Sequence, residues 1–293
     1  MTEKKRNVSV LGENASMLSR RASVTREQLD LTAEQLIETL ICDCEDNSAD
    51  GVYAEFCRIY GDKDCRAKAI ACKGIVGDAA LSARVGEKNL LGYGEAALPG
   101  THGRIAYVRN KRNDDAYASF AERIRGAKAY YCSSFAEACE AVFSNVCEFC
   151  ILPIENGTDG KLYSFYSMID RYELIISSSV WLAADDGADK TCFALVSRGA
   201  VIGGRPQSVR FEFSVVCEDG AFPGDIVDVA NLIGGRVLSV GTQPVPYDDV
   251  GTKYYFSMDI DSLDVLPMAF YMSVEYPRYT PLGAYNVKKQ GGF

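Results

Sequence analysis

In 293 residues the sequence carries one histidine and one tryptophan, no apolar run of bilayer length, and no second CxxC pair to complete a four-cysteine metal site. With His102 alone, a Ser-His-Asp triad, a histidine-rich metal site and a histidine base would all share one side chain. That side chain stands in the turn-like stretch Pro99-Gly100-Thr101-His102-Gly103 and reads as a solvated loop residue. The residues around Lys4-Lys5-Arg6 form no apolar secretion core, so a cytoplasmic protein without membrane contact is expected. Acidic side chains outnumber basic ones, 40 against 31, and the net charge of −9 argues against nucleic acid as a partner.

What is present is an ordinary globular composition, 47% hydrophobic and 24% charged. The 11 cysteines are odd in number and lack the compact spacing of a secreted disulfide framework, so free thiols in a reducing compartment are expected. Cys147-Glu148-Phe149-Cys150 runs into the apolar strand Ile151-Leu152-Pro153-Ile154. Buried structural thiols are the expectation there, with metal or redox chemistry as the alternative.

Residues 1–30, basic and without periodicity, read as a mobile arm. Thr32-Ala33-Glu34-Gln35 matches a capping box, and Leu36, Ile37, Leu40 and Ile41 recur at helical spacing, which predicts a helix starting there. Further stripes at Tyr53, Phe56, Cys57, Tyr60 and at Cys65, Ala69, Cys72 make residues 31–100 a helical region of unassigned purpose. From Arg104 strands alternate with helices in a βαβαβ unit, with a capping box at Ser134-Phe135-Ala136-Glu137. Two more strands, Leu174–Leu182 and Thr191–Val196, are joined by Ala183–Lys190, a connection that suits only antiparallel pairing. After the linker Gly203-Gly204-Arg205-Pro206, the order becomes βαββαβ over residues 207–287, the ferredoxin-like plan, whose sheet edges invite a second copy.

Ile151-Leu152-Pro153-Ile154-Glu155-Asn156-Gly157-Thr158-Asp159-Gly160 resembles the P-I-E-N-S-x-x-G strand-to-helix signature of prephenate dehydratases. Tyr255–Ile260 resembles the third strand, and Leu282-Gly283-Ala284-Tyr285 the L-G-S-Y ending, of the ACT domain fused to those enzymes. The resemblance implies an α/β fold: a single periplasmic-binding-protein-like βαβ lobe at 101–200, then an ACT domain at 207–287. It implies conversion of prephenate to phenylpyruvate, water and carbon dioxide without metal or cofactor. It places catalytic residues at Thr191, Phe193, Asn156 and Glu155, substrate contacts at Thr158 and Arg109, and an amino-acid site at Gly220, Ala221, Phe222, Thr242, Gln243 and Pro244.

The departures from that pattern are as informative. Thr191-Cys192-Phe193 stands where the family has Thr-Arg-Phe, and a thiol cannot make a bidentate pair with a carboxylate. Val108–Asn113 replaces a G-P-x-G-T-F-S loop, Gly157 replaces the signature serine, and Ala183–Lys190 stands where the family inserts its second lobe. The expectation is a catalytically impaired relative in phenylalanine metabolism. It would act as an amino-acid-sensing or regulatory protein that takes prephenate or an aromatic amino acid and forms a homodimer or higher oligomer through its ACT-like domain. One alternative is an active dehydratase whose cleft is completed by the N-terminal helices or another subunit; another is a ligand-free assembly module. Locally, Asn156 and Thr158 also suit a turn and Thr191 a plain strand position. Arg109, Lys111 and Arg112 suit either a solvated run or replacement carboxylate binders.

Overall fold

The computed structural model describes residues 24–43, 48–61, 63–92, 103–183, 189–199, 208–217, 222–245 and 251–289. His102, Cys44, the 203–206 linker, Gly220 and Ala221 lie outside the described residues. The chain divides into two units, Met1–Arg84 and Val85–Phe293.

The first unit holds α1 (residues 24–43), α2 (Ala49–Tyr60) and α3 (Cys65–Gly77), with α4 (Ala79–Glu87) running across the boundary. Ala33, Ile37 and Leu40 recur on the buried stripe of α1. Gly74 of α3 lies against Ile37, where an added Cβ would come within 3.0 Å of it. The expected start of α1 at Thr32 is corrected, since residues 24–30 already form its opening turns. The Thr32 hydroxyl donates to the Gln28 carbonyl at 2.8 Å, so inside a helix it bonds backward instead of capping forward.

The second unit is built on two sheets. The first uses β1 (Arg104–Val108), β2 (Lys128–Cys132), β3 (Phe149–Asn156), β4 (Gly160–Lys161), β5 (Ile175–Ala183), β6 (Lys190–Ser197) and β11 (Val287–Lys289). Its order is β11-β5-β6-β3-β1-β2, with β4 paired to β3. Strand β1 is parallel to β2 and β3, as the βαβαβ rhythm requires, with α5 (Lys111–Ala121) and α6 (Phe135–Phe143) as crossovers. Ser134 caps α6 as its motif predicts, accepting from the Glu137 N–H at 3.1 Å. Strand β6 is antiparallel to both β3 and β5, and Ala183 pairs with Lys190, so β5 and β6 close a hairpin.

The second sheet has the order β10-β7-β9-β8, all antiparallel, from β7 (Ser208–Cys217), β8 (Arg236–Pro244), β9 (Thr252–Asp261) and β10 (Tyr279–Tyr285). Helices α8 (Gly224–Ile233) and α9 (Val265–Glu275) complete the βαββαβ sequence of elements. Helix α7 (Tyr163–Arg171) packs on both sheets: Tyr166 and Ile169 are buried in one core with Leu152, Ile154 and Ile176 of the first sheet, and other contacts reach the second. Tyr163 and Tyr166 meet the Tyr255 ring, Ser167 Oγ lies 3.2 Å from the Tyr255 hydroxyl, and Asp170 pairs with Lys253. The chain then returns through β11, which lies parallel to β5. No helix among the described residues is long and apolar enough to cross a membrane.

Candidate functional site

In open α/β sheets ligands gather at the carboxyl ends of the parallel strands; here β1 ends at Val108, β3 runs on past it to Asn156, and the mouth of the sheet lies at these two ends. Strand β1 passes directly into α5 through a turn without glycine. Asn110 accepts from the Asn113 N–H at 2.9 Å, and the buried Asn113 amide donates to the Val108 carbonyl at 2.6 Å. This turn sets Arg112 in the first helical turn, from where its guanidinium reaches Thr191 Oγ1 at 3.3 Å and Asp189 Oδ2 at 3.4 Å. Arg109 instead lies over the Tyr131 ring, 5.2 Å from its centroid, on the β2 side. The cation at Thr191 is therefore Arg112.

Strand β3 slips by one residue at Ile154, so that Glu155 faces Cys192 and Asn156 faces Thr191. Asn156 Oδ1 accepts from the Thr158 and Asp159 N–H groups at 3.1 and 2.5 Å, and its amide donates to Asp159 at 2.9 Å. Asn156 and Thr158 thus close a turn next to Thr191.

Opposed residues on paired strands share a face, and successive residues alternate. Thr191 and Phe193 point to the α5 side, where Phe193 is sealed in a core with Ile105, Tyr107, Phe120 and Leu195. Glu155 and Cys192 point to the opposite face, toward Lys161 and Glu212. The four candidate catalytic residues therefore divide: Thr191 and Asn156 adjoin the mouth, Phe193 is core, and Glu155 lies across the sheet. The same alternation corrects the expectation that Cys192 marks a guanidinium lost from the mouth. Any side chain at 192 faces Glu155 and Glu212, and the cation on that face is Lys161.

That buried face is rich in charge. Lys161 Nζ lies 2.5 Å from Glu212 Oε1 and 3.2 Å from Glu155 Oε2. Burial disfavours both charged forms, but the mutual attraction outweighs it: the ammonium is held above its ordinary pKa and the Glu212 carboxyl below. Burial and the neighbouring Glu212 lift the Tyr166 and Tyr285 phenols well above their usual range. Burial also pushes the Cys192 thiol up to about 12, so it stays protonated and is no nucleophile. The thiols of Cys132 and Cys147 are pushed up to about 11 by burial, and contact with Cys139 together with burial lifts Cys150 further. All described cysteines are free, and no group of three or more metal-ligating side chains occurs among the described residues.

On the second sheet, exposed Phe222 meets Tyr254 edge-on at 5.8 Å, and Thr242 is the register partner of Tyr254, with Gln243 and Pro244 following on β8. Two of the sequence candidates, Phe222 and Thr242, are thus brought together by a tyrosine that the sequence did not single out. Asp225, in the first turn of α8, accepts from the Tyr271 and Tyr276 hydroxyls at 2.7 and 2.5 Å.

No family model matches the chain, and no curated protein does. Among solved structures, the prephenate dehydratase of Streptococcus mutans is similar with a TM-score of 0.50 at 17% identity, over 63% of this chain and 98% of that one. GqqA, described as a novel type of quorum quenching acylase, has a TM-score of 0.49 at 14% identity, over 63% of this chain and 95% of its own. The prephenate dehydratase of Arthrobacter aurescens in complex with L-Phe has a TM-score of 0.48 at 16% identity, over 62% and 89%. The chain shares its mixed α/β fold with the Streptococcus mutans enzyme.

Proposed function

We propose that the chain is a prephenate dehydratase relative that does not turn over prephenate and serves phenylalanine metabolism in the cytoplasm as an amino-acid-sensing or regulatory protein. The observation that carries this reading is the commitment of the candidate polar groups to the fold, Asn156 and Thr191 at the mouth and Glu155 across the sheet. Glu155 is engaged by Lys161, the Asn156 amide is used in its own turn, and Thr191 accepts from Arg112. Coupled loss of water and carbon dioxide relies on donors held ready for the developing charge, and groups tied up in the resting fold are not ready. The β5–β6 hairpin supports the same reading, because no second lobe is inserted between Ala183 and Lys190.

One observation favours a working dehydratase instead. The Arg112 side chain is 51% exposed beside Thr191, a guanidinium within reach of a substrate carboxylate.

In the leading reading the four-stranded unit is an ACT-like sensor that takes an aromatic amino acid beside Phe222, Thr242, Gln243, Pro244 and Tyr254. It pairs two copies along β8, whose outer edge has no strand neighbour among the described residues and carries exposed Leu238. Thermal unfolding with L-phenylalanine, L-tyrosine or L-tryptophan at about 10 mM tests the sensor. A ligand that binds only the folded chain raises the melting temperature, so at least one of the three gives an upward shift. No shift with any of them refutes sensing and leaves an assembly module.

A further inference from the structure

Lys161 stands where the two sheets of the second unit meet. On β4 it faces Glu155 across the β3–β4 hairpin, and its ammonium lies between Glu155 of the first sheet and Glu212 of the second. Glu212 is fully enclosed, and its carboxylate also accepts from Tyr166, Ser257 and Tyr285 at 3.0, 2.9 and 2.8 Å. The nearby guanidinium of Arg210 is bonded to Asp259 at 2.8 Å. With the Lys161 side chain only 8% exposed, solvent cannot supply a replacement counter-charge for Glu212.

The hairpin that Lys161 closes is the turn next to Thr191, bounded by two backbone bonds. The Gly157 N–H donates to the Lys190 carbonyl at 2.8 Å, and the Leu162 N–H to the Ile154 carbonyl at 2.9 Å. Immediately after it, the Tyr163 ring packs directly on Gly241 of β8, where an added Cβ would overlap the ring and force it to move. The hairpin is therefore attached to the second sheet by the Lys161–Glu212 ion pair and, just after it, by the Tyr163 ring against Gly241 and Tyr255.

We propose that Lys161 is a clasp that couples the conformation of the 156–160 turn to the seating of the four-stranded sheet. Loosening of the sheet at Glu212 releases the turn, and rearrangement of the turn withdraws the ammonium from a buried carboxylate. A change on the second sheet thereby reaches the carboxyl end of β3 whatever ligand either site takes.

Hydrogen exchange on the full chain tests the clasp. Glu212→Gln should speed exchange of the Gly157 and Leu162 amides tenfold or more, while the Ala138 amide of α6, bonded to Ser134, keeps its rate. Unchanged rates at Gly157 and Leu162 overturn the proposal, and so does an equal rise at Ala138, which reports global loosening. Tyr285→Phe removes one donor and leaves the charge, and serves where Glu212→Gln does not fold. It should raise the same two amides at least twofold, and no rise there overturns the clasp.

Discussion

A carboxylate with no access to water, as in Glu212, is tolerable only while its counter-charge and hydrogen-bond donors stay in place. Lys161→Met should therefore destabilise the chain by about 3–5 kcal/mol in denaturant unfolding, and adding Glu212→Gln should recover more than half of that loss. The pH dependence follows from the shifts. Glu212 is held below its unfolded value, so its contribution is present above about pH 4.3 and lost as pH falls through the folded pKa. Lys161 is held above its own, so its contribution is present below about pH 10.4 and lost as pH rises through the folded pKa. Glu212→Gln should accordingly flatten the loss of stability on the acid side alone. Little of this was legible in the sequence, because Lys161, Glu212 and Tyr285 are far apart in the chain and each looks ordinary by itself. The direction of Cys192 was legible: neighbours of Thr191 on a strand must face the other way, and the thiol's side of the sheet follows from counting.

At the scale of elements, local signals fared according to what stood beside them. Ser134 follows a strand and a bend, so its hydroxyl finds free N–H groups ahead of it and caps α6. Thr32 follows Gln28 and Leu29, residues that continue a helix, so a similar pattern is absorbed into α1. Strands β4 and β11, of two and three residues, are too short to show any period, and their pairing is set by the chain around them. The Leu282-Gly283-Ala284-Tyr285 ending shows what an element junction demands. Leu282 and Tyr285 are buried, and Gly283 presses on β5, where a Cβ would lie 2.5 Å from the Ile176 carbonyl oxygen. Its φ of +149° adds a backbone conformation that L side chains rarely adopt. Gly283→Ala should cost about 1–3 kcal/mol by overpacking against a backbone atom that cannot swing away. Thermal unfolding checks this, and a variant as stable as the parent would show that β10 and β5 part easily.

For the whole molecule, the succession of helices and longer strands from Arg104 to Tyr285 could be read from periodicity, because most of these elements bury a stripe of their own. How the two sheets join could not. Helix α7 carries its tyrosines to the second sheet, and β11 brings the chain back to the first, through contacts that no local pattern encodes. That joining holds Glu155 on the far side of the sheet from Thr191, and with it goes the proposed loss of turnover. The most direct measurement is incubation of the purified 293-residue chain with prephenate, following phenylpyruvate. The account predicts no product above the uncatalysed rate; turnover near or above about 1 s⁻¹, abolished by Arg112→Ala, would contradict it and establish a working dehydratase at the Thr191 mouth.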